Sequence, residues 1–288
     1  MKRLAIVVLA ALALAGGTAA AQTTPDAPAP RVQQAIRLTE LALRDGSRMY
    51  GTIVSETETE IVFRTQSGTT MTVTRAEVLS VRPVDGVLTD GEFQPADPNV
   101  TRLFFGPTGR SLKRGQVYLG VYELFLPFVQ VGITDRISIG GGTPLMFLSD
   151  ESASDRPFWI TPKVQVFNGA KTQISVGVFH GFSGDGYGGI GYVVGTHGTV
   201  ASSFTIGVGA GYSDGGDSAG VVMLGGEAQV RRNMKLITEN YVWKGGDGII
   251  SGGVRFFGER LSADLALVAP IGADGFFLGP LVNFVYIF

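Results

Sequence analysis

GPLVNFVYIF (Gly279–Phe288) is the stretch on which the fold turns. Counting back by twos, Phe288, Tyr286, Phe284 and Val282 share one face of an extended strand. Terminal residues of a water-soluble domain usually fray into solvent, so an apolar aromatic strand at this position asks for a covering medium or a pairing partner. The same period of two recurs upstream. In LSADLALV, Leu261, Ala263, Leu265 and Leu267 oppose Ser262 and Asp264. In IISGGVRFF, Ile250, Val254 and Phe256 oppose Ser251 and Arg255; in WITPKVQV, Ile160, Val164 and Val166 oppose Thr161, Lys163 and Gln165.

From Gly115 onward, such runs of about nine to twelve residues alternate with turns, giving about twelve candidate strands. Alternate connections (TDR, NGAK, THG, RRN, GER) are uniformly tight. The others, such as MFLSDESASDRP and SDGGDS, are mostly longer and rich in Gly and Asp. FLP (Phe125–Pro127) is the short exception. Aromatic residues gather at strand ends: Phe158, Trp159, Phe182, Tyr212, Tyr241 and Trp243 towards the long connections, and Phe167, Phe256, Phe257, Tyr286 and Phe288 towards the short ones. Even parity, one-sided tight turns, a continuous apolar face and two aromatic belts predict an all-β, antiparallel transmembrane barrel. In such a barrel the last strand pairs with the first, so the chain can stop inside the sheet.

Composition agrees. Gly makes up 42 of 288 residues and the apolar fraction is 44%, a sheet-like balance. A net charge of −2 gives no reason to expect nucleic acid. Without cysteine the chain has no disulfide framework and no thiolate metal site, and no cofactor motif is found. MKRLAIVVLAALALAGGTAAAQ combines Lys2 and Arg3, an apolar run from Leu4 to Ala15, and Ala19-x-Ala21. This is the layout of a secretory signal over 1–21, with an uncleaved anchor as the alternative.

Four further segments are expected. Residues 22–30 form a Pro/Ala linker. Residues 31–84 form a small unit of about five short strands, whose LRDGSRMYGTIVSETETEIVFRT is similar to Sm-like or SH3-like modules of exported bacterial proteins; a plain meander is the alternative. Residues 85–114 are a linker or a plug: either Leu103, Phe104 and Phe105 fold into the barrel with Arg110, Lys113 and Arg114, the cations meeting Glu227 or Asp264 and the aromatics lying on glycine, or Phe104 and Phe105 pack at the rim or form an extra strand with the cations on lipid headgroups. Residues 115–288 are the barrel.

The terminal Phe288 with Tyr286 and Phe284 resembles the C-terminal signature of bacterial outer-membrane β-barrel proteins. That resemblance implies an outer-membrane location among lipid and lipopolysaccharide, and recognition of this strand by the barrel insertion machinery. Deleting Phe288 is then expected to lower outer-membrane levels and leave degraded or aggregated chain in the periplasm. An unchanged amount of heat-modifiable barrel would contradict it.

Function is read from the inward face. Lys163, Gln165, Glu227, Gln229, Arg231, Arg255 and Asp264 form an expected charged wall. Gly140, Gly142, Ser175, Gly177, Gly189, Gly191, Gly195, Ser203, Thr205, Gly207, Gly209 and Gly211 form an expected bare one. This suits a passive channel for small polar solutes. The alternative is a closed, anchoring barrel in which the charges pair and the small periplasmic unit binds an envelope partner. A hydrolase would have to use His180 and Ser183 of FHGFSG, which an odd spacing puts on opposite strand faces, and His197 falls in a turn. No catalytic residue is assigned. The acids Asp150, Glu151, Asp155, Asp185, Asp214, Asp217, Asp247 and Asp274 match no complete metal loop.

Overall fold

A computed structural model describes residues 34–89, 92–145, 156–184, 186–216, 218–272 and 277–288. The expected signal, the Pro/Ala linker and the acids at 150, 151, 155, 185, 217 and 274 lie outside these residues. The chain divides into two compact units, with the boundary between Ala96 and Asp97.

The first unit is one six-stranded antiparallel sheet in the order β4-β3-β2-β1-β5-β6. Its strands are β1 (Gln34–Leu43), β2 (Arg48–Glu56), β3 (Glu60–Thr65), β4 (Thr70–Thr74), β5 (Val78–Thr89) and β6 (Glu92–Pro95). It runs on to Pro95, beyond the expected boundary at 84. Leu41, Ile61, Phe63 and Val73 form its core. Glu40, although buried, accepts two hydrogen bonds from Arg82 Nη2 at 3.1 and 3.0 Å, so its charge is compensated.

The second unit is a closed barrel. Its strands are β7 (Val117–Tyr122), β8 (Leu126–Gly132), β9 (Ile137–Gly142), β10 (Phe158–Ile160), β11 (Lys163–Asn168), β12 (Thr172–Ser183), β13 (Gly186–Gly198), β14 (Ser202–Ser213), β15 (Ala219–Arg231), β16 (Met234–Trp243), β17 (Gly248–Phe257), β18 (Leu261–Ile271) and β19 (Gly279–Ile287). β10 and β11 both bridge β9 and β12, so they are two halves of one strand and the ring has twelve positions. The break falls at Thr161-Pro162, where proline cannot donate to a ladder. β19 pairs with β7 from Asn283↔Tyr122 to Ile287↔Tyr118, which closes the ring and leaves no free edge. Among the described residues no helix is long and apolar enough to cross a membrane.

Side chains sort cleanly by face. On β18, Leu261, Leu265 and Leu267 are 50, 48 and 44% exposed, while Ser262, Asp264 and Val268 are 1, 2 and 0% exposed. The leucines point out while Ser262 and Asp264 point in, the reverse of a soluble core, with Val268 an apolar exception on the inward face. β12 to β18 hold 10 to 13 residues each, enough to cross a bilayer core when tilted.

Several expectations are corrected. The first hairpin turns at Glu123–Phe125, not at FLP. Glu123 and Leu124 take φ of 50° and 64°, a conformation costly for non-glycine residues, which is why the turn lacked a familiar signature. β7 and β9 have only 6 residues each, shorter than the expected 116–124 and 137–145, while β8 keeps the expected 7 but starts two residues earlier. Trp159, Tyr241, Trp243 and Phe257 point inward, so the outer belts consist of Phe158, Phe182, Tyr187 and Tyr212 at one end and Phe167, Phe204, Phe256, Tyr286 and Phe288 at the other. Gly189, Gly191 and Gly195 face outward. Their β12 neighbours across the ladder are His180, Val178 and Ile174, and the inward residues of β13 are Tyr192, Val194 and Thr196. Phase is hard to read there because β13 turns Ile190, Tyr192 and Val194 inward and shows glycines outward beside Tyr187 and Val193. Tyr192 lies over Gly177, where an added Cβ would overlap its phenol.

Candidate functional site

The barrel interior is the candidate site. A finger made of Asp97 to Leu112 lines its inward faces. Pro and Gly punctuation sets the shape of the finger. Leu103 N donates to Gly106 O at 2.9 Å, Thr108 N donates to Thr101 O at 3.0 Å, and Arg102 bridges Pro107 antiparallel. The result is a narrow hairpin with its tip at Leu103–Gly106. It begins beside Ser262, to which Asn99 Nδ2 donates at 3.2 Å, and returns beside Thr196 and Ser175. All three contacts lie on the short-turn half of the barrel, so both limbs of the finger belong to the same end.

Most wall contacts are to the finger's main chain. Lys163 Nζ donates to Thr101 O at 3.2 Å and Arg110 O at 2.7 Å; Gln165 Nε2 and Ser175 Oγ donate to Gly109 O at 2.8 and 2.9 Å. Asn283 Nδ2 donates to Phe104 O at 3.1 Å. Glu239 does the converse: its carboxylate accepts from Phe104 N at 2.7 Å, Phe105 N at 3.1 Å and Gly106 N at 3.0 Å, and from the Tyr241 hydroxyl at 2.7 Å. Finger carbonyls and amides far from water are thereby satisfied, as buried backbone requires.

Charges form a continuous alternating chain. Arg110 meets Glu227 at 2.5 Å, and Glu227 meets Lys235 at 2.8 Å. Asp97 touches both Lys235 at 3.3 Å and Arg255 at 3.1 Å, and Arg255 forks onto Asp264 at 2.6 and 3.0 Å. Every member is buried. Arg102 lies 4.2 Å above the Phe128 ring and hydrogen-bonds Tyr122 Oη and Gln130 Oε1. Leu103 and Phe104 cover an inward apolar patch of Ile237, Ile249, Val268 and Leu281. A methyl group on Gly225 would overlap Leu103 Cδ1, so the missing side chain there makes room for the finger.

Of the residues expected on the charged wall, Lys163, Gln165, Glu227, Arg255 and Asp264 are buried and face the finger. Gln229 is buried too, but donates to Arg232 O at 3.3 Å, near the turn. Arg231 is exposed: a bulge after Gln229 shifts the register and carries it to the strand end. Asp264 pairs with the wall's own Arg255 rather than with a finger cation, and Lys113 and Arg114 are exposed. Sequence reasoning missed Lys235 and Glu239 because β16 is polar on both faces. Thr238 and Asn240 point outward, where the Thr238 hydroxyl donates to Ser251 O at 2.7 Å and Asn240 Oδ1 accepts Ser251 N at 3.1 Å. The signal available was register: Lys235 lies opposite Arg255, whose phase was clear.

His180 and Ser183 do not converge. His180 Nδ1 lies 2.6 Å from Tyr212 Oη within the outer aromatic belt, and Ser183 Oγ donates to Gly186 O. Among the described residues no three His, Asp or Glu side chains gather as a metal site.

No protein-family model and no curated protein matches the chain. Solved structures similar to it include the KdgM porin (7% identity, TM-score 0.45, covering 59% of this chain and 96% of that one). The NanC porin is similar at 9% identity and TM-score 0.44, covering 59% and 98%. A loop-deletion form of OmpT, an outer membrane protein of Vibrio cholerae, is similar at 13% identity and TM-score 0.38, covering 88% and 97%.

Proposed function

We propose that the chain is an integral outer-membrane barrel serving as a passive path for small polar solutes, and that the finger of residues 97–112 plugs that path. One observation carries the membrane reading: a closed ring of strands with leucine, valine and phenylalanine outside and ionised groups inside. Such a surface is stable only where hydrocarbon replaces water outside. Single-channel recording of the refolded chain in a planar bilayer tests the path. Ohmic steps support it, and a bilayer that stays silent even without the finger rejects it.

A second reading, the closed anchoring barrel, is favoured by how completely the finger satisfies the wall. In both readings the 34–96 unit lies in the periplasm, because short turns belong on that side and β7 starts from it. Its strand order is compatible with an Sm-like or SH3-like module, and its task would be to hold an envelope partner such as peptidoglycan. Protease added to intact cells is expected to leave residues 34–96 uncut, whereas permeabilised cells should lose them. Cleavage in intact cells would invert the topology.

A further inference from the structure

We propose that the short-turn rim of the barrel is a binding surface for anionic phospholipid headgroups. This rests on the membrane reading above. The turn after β8 carries Arg136, the turn after β11 carries Lys171, and β15 ends on Arg231 with Arg232 in the turn after it. The turn after β17 adds Arg260, and the approach to β7 adds Arg114. All six are exposed, and the carboxylates interspersed with them are Asp135 and Glu259. Alternate connections of an antiparallel ring lie at one end, so the topology itself gathers these cations.

Two further observations point to lipid. Directly inboard of this rim, Phe167, Phe204, Phe256, Tyr286 and Phe288 face outward and are exposed. An aromatic belt marks the depth at which headgroups begin, so the cations stand at phosphate level. The opposite rim has the other balance: among the described residues, Glu123, Asp214 and Asp247 there face Arg156 and Lys244. A general need for solubility would not sort the signs by end. Guanidinium groups match phosphate oxygens in a fork, and cations beside an anionic surface each add attraction that salt weakens. The cations occupy four of the five short turns, the turn after β13 having none, and this spread suits several mobile lipids better than one bound molecule.

The test uses the full chain reconstituted in phosphatidylcholine bilayers with trace spin-labelled phosphatidylglycerol or phosphatidylcholine. The motionally restricted fraction reports lipid at the barrel wall. Restriction of both labels shows that the barrel is inserted; its absence for both would mean that the membrane reading has failed. Given insertion, the anionic label is expected to be favoured several-fold, falling towards parity at about 1 M salt, where the screening length is about 3 Å. The variant R136Q/K171Q/R231Q/R232Q/R260Q should lose that preference, and R156Q/K244Q at the other rim should keep it. Equal partition in the unaltered chain, or a preference that survives in the rim variant, overturns the proposal.

Discussion

Excising residues 34–112 is expected to raise single-channel conductance several-fold while leaving the barrel assembled. The ring needs nothing from the finger, since β19 pairs with β7 and every neighbouring pair has its own ladder. Nor does excision strand the wall charges: Glu227 keeps Lys235, Asp264 keeps Arg255, and Glu239 keeps the Tyr241 hydroxyl. Water entering the lumen solvates Lys163 and the apolar patch around Ile237. The emptied wall carries Lys163, Lys235 and Arg255 against Glu227, Glu239 and Asp264, so the larger pore should discriminate weakly between cations and anions. A converse variant guards against misassembly. An ideal Cβ at residue 225 lies 3.6 Å from Leu103 Cγ, the place a cysteine sulfur would take, and the chain has no other cysteine. Across an S–S bond of about 2.05 Å a sulfur lies about 3 Å from its partner's Cβ, so L103C/G225C needs an approach of only about half an ångström. Oxidised, it should hold conductance at its lowest level, and reduction should restore the level of the unaltered chain. Identical conductance in the excised and full-length proteins would rule out a plug.

What the sequence made legible follows from period two. Wherever one face is apolar and the other ionised, as in β11, β15, β17 and β18, strand extent and facing could both be read. Where that contrast fails, so does the reading. β13 carries Tyr192 and Val194 inward over glycines of β12 and β14, so its apolar side is not its lipid side. β16 satisfies Thr238 and Asn240 by bonds to neighbouring backbone on the outer face, which hides its inward Lys235 and Glu239. The finger has no period at all. Its Leu, Phe, Gly, Pro and Arg content allowed both a rim segment and an insert. The choice depends on long-range partners such as Glu239 and Asn283, which lie more than a hundred residues away in the chain.

Arg255→Met is expected to cost about 3–5 kcal/mol of stability, the usual scale for removing one member of a buried, hydrogen-bonded charge group. Arg255 is the junction of the interior. Besides forking onto Asp264 and reaching Asp97 it donates to Asn99 O at 2.7 Å and Leu103 O at 2.5 Å. Methionine fills similar volume but leaves Asp264 without its cation, Asp97 with Lys235 alone, and the carbonyls of Asn99 and Leu103 without their guanidinium donor, all of them buried. The cost should divide in a recognisable way. The β17 ladder uses main-chain groups and survives, so the barrel still folds and remains heat-modifiable. The finger loses its central support, so conductance should rise towards that of the excised protein. Lysine at 255 keeps the charge but cannot fork, and should fall between the two. Adding Asp264→Asn to Arg255→Met removes one stranded charge and should recover part of the loss. Chemical denaturation in detergent, read by the mobility of the unboiled barrel, measures the first effect, and bilayer recording measures the second. If Arg255→Met left both unchanged, Arg255 would have no part in holding the finger, and its seat would have to rest on the other wall contacts, those of Lys163, Gln165, Ser175, Glu239 and Asn283, and on the apolar patch.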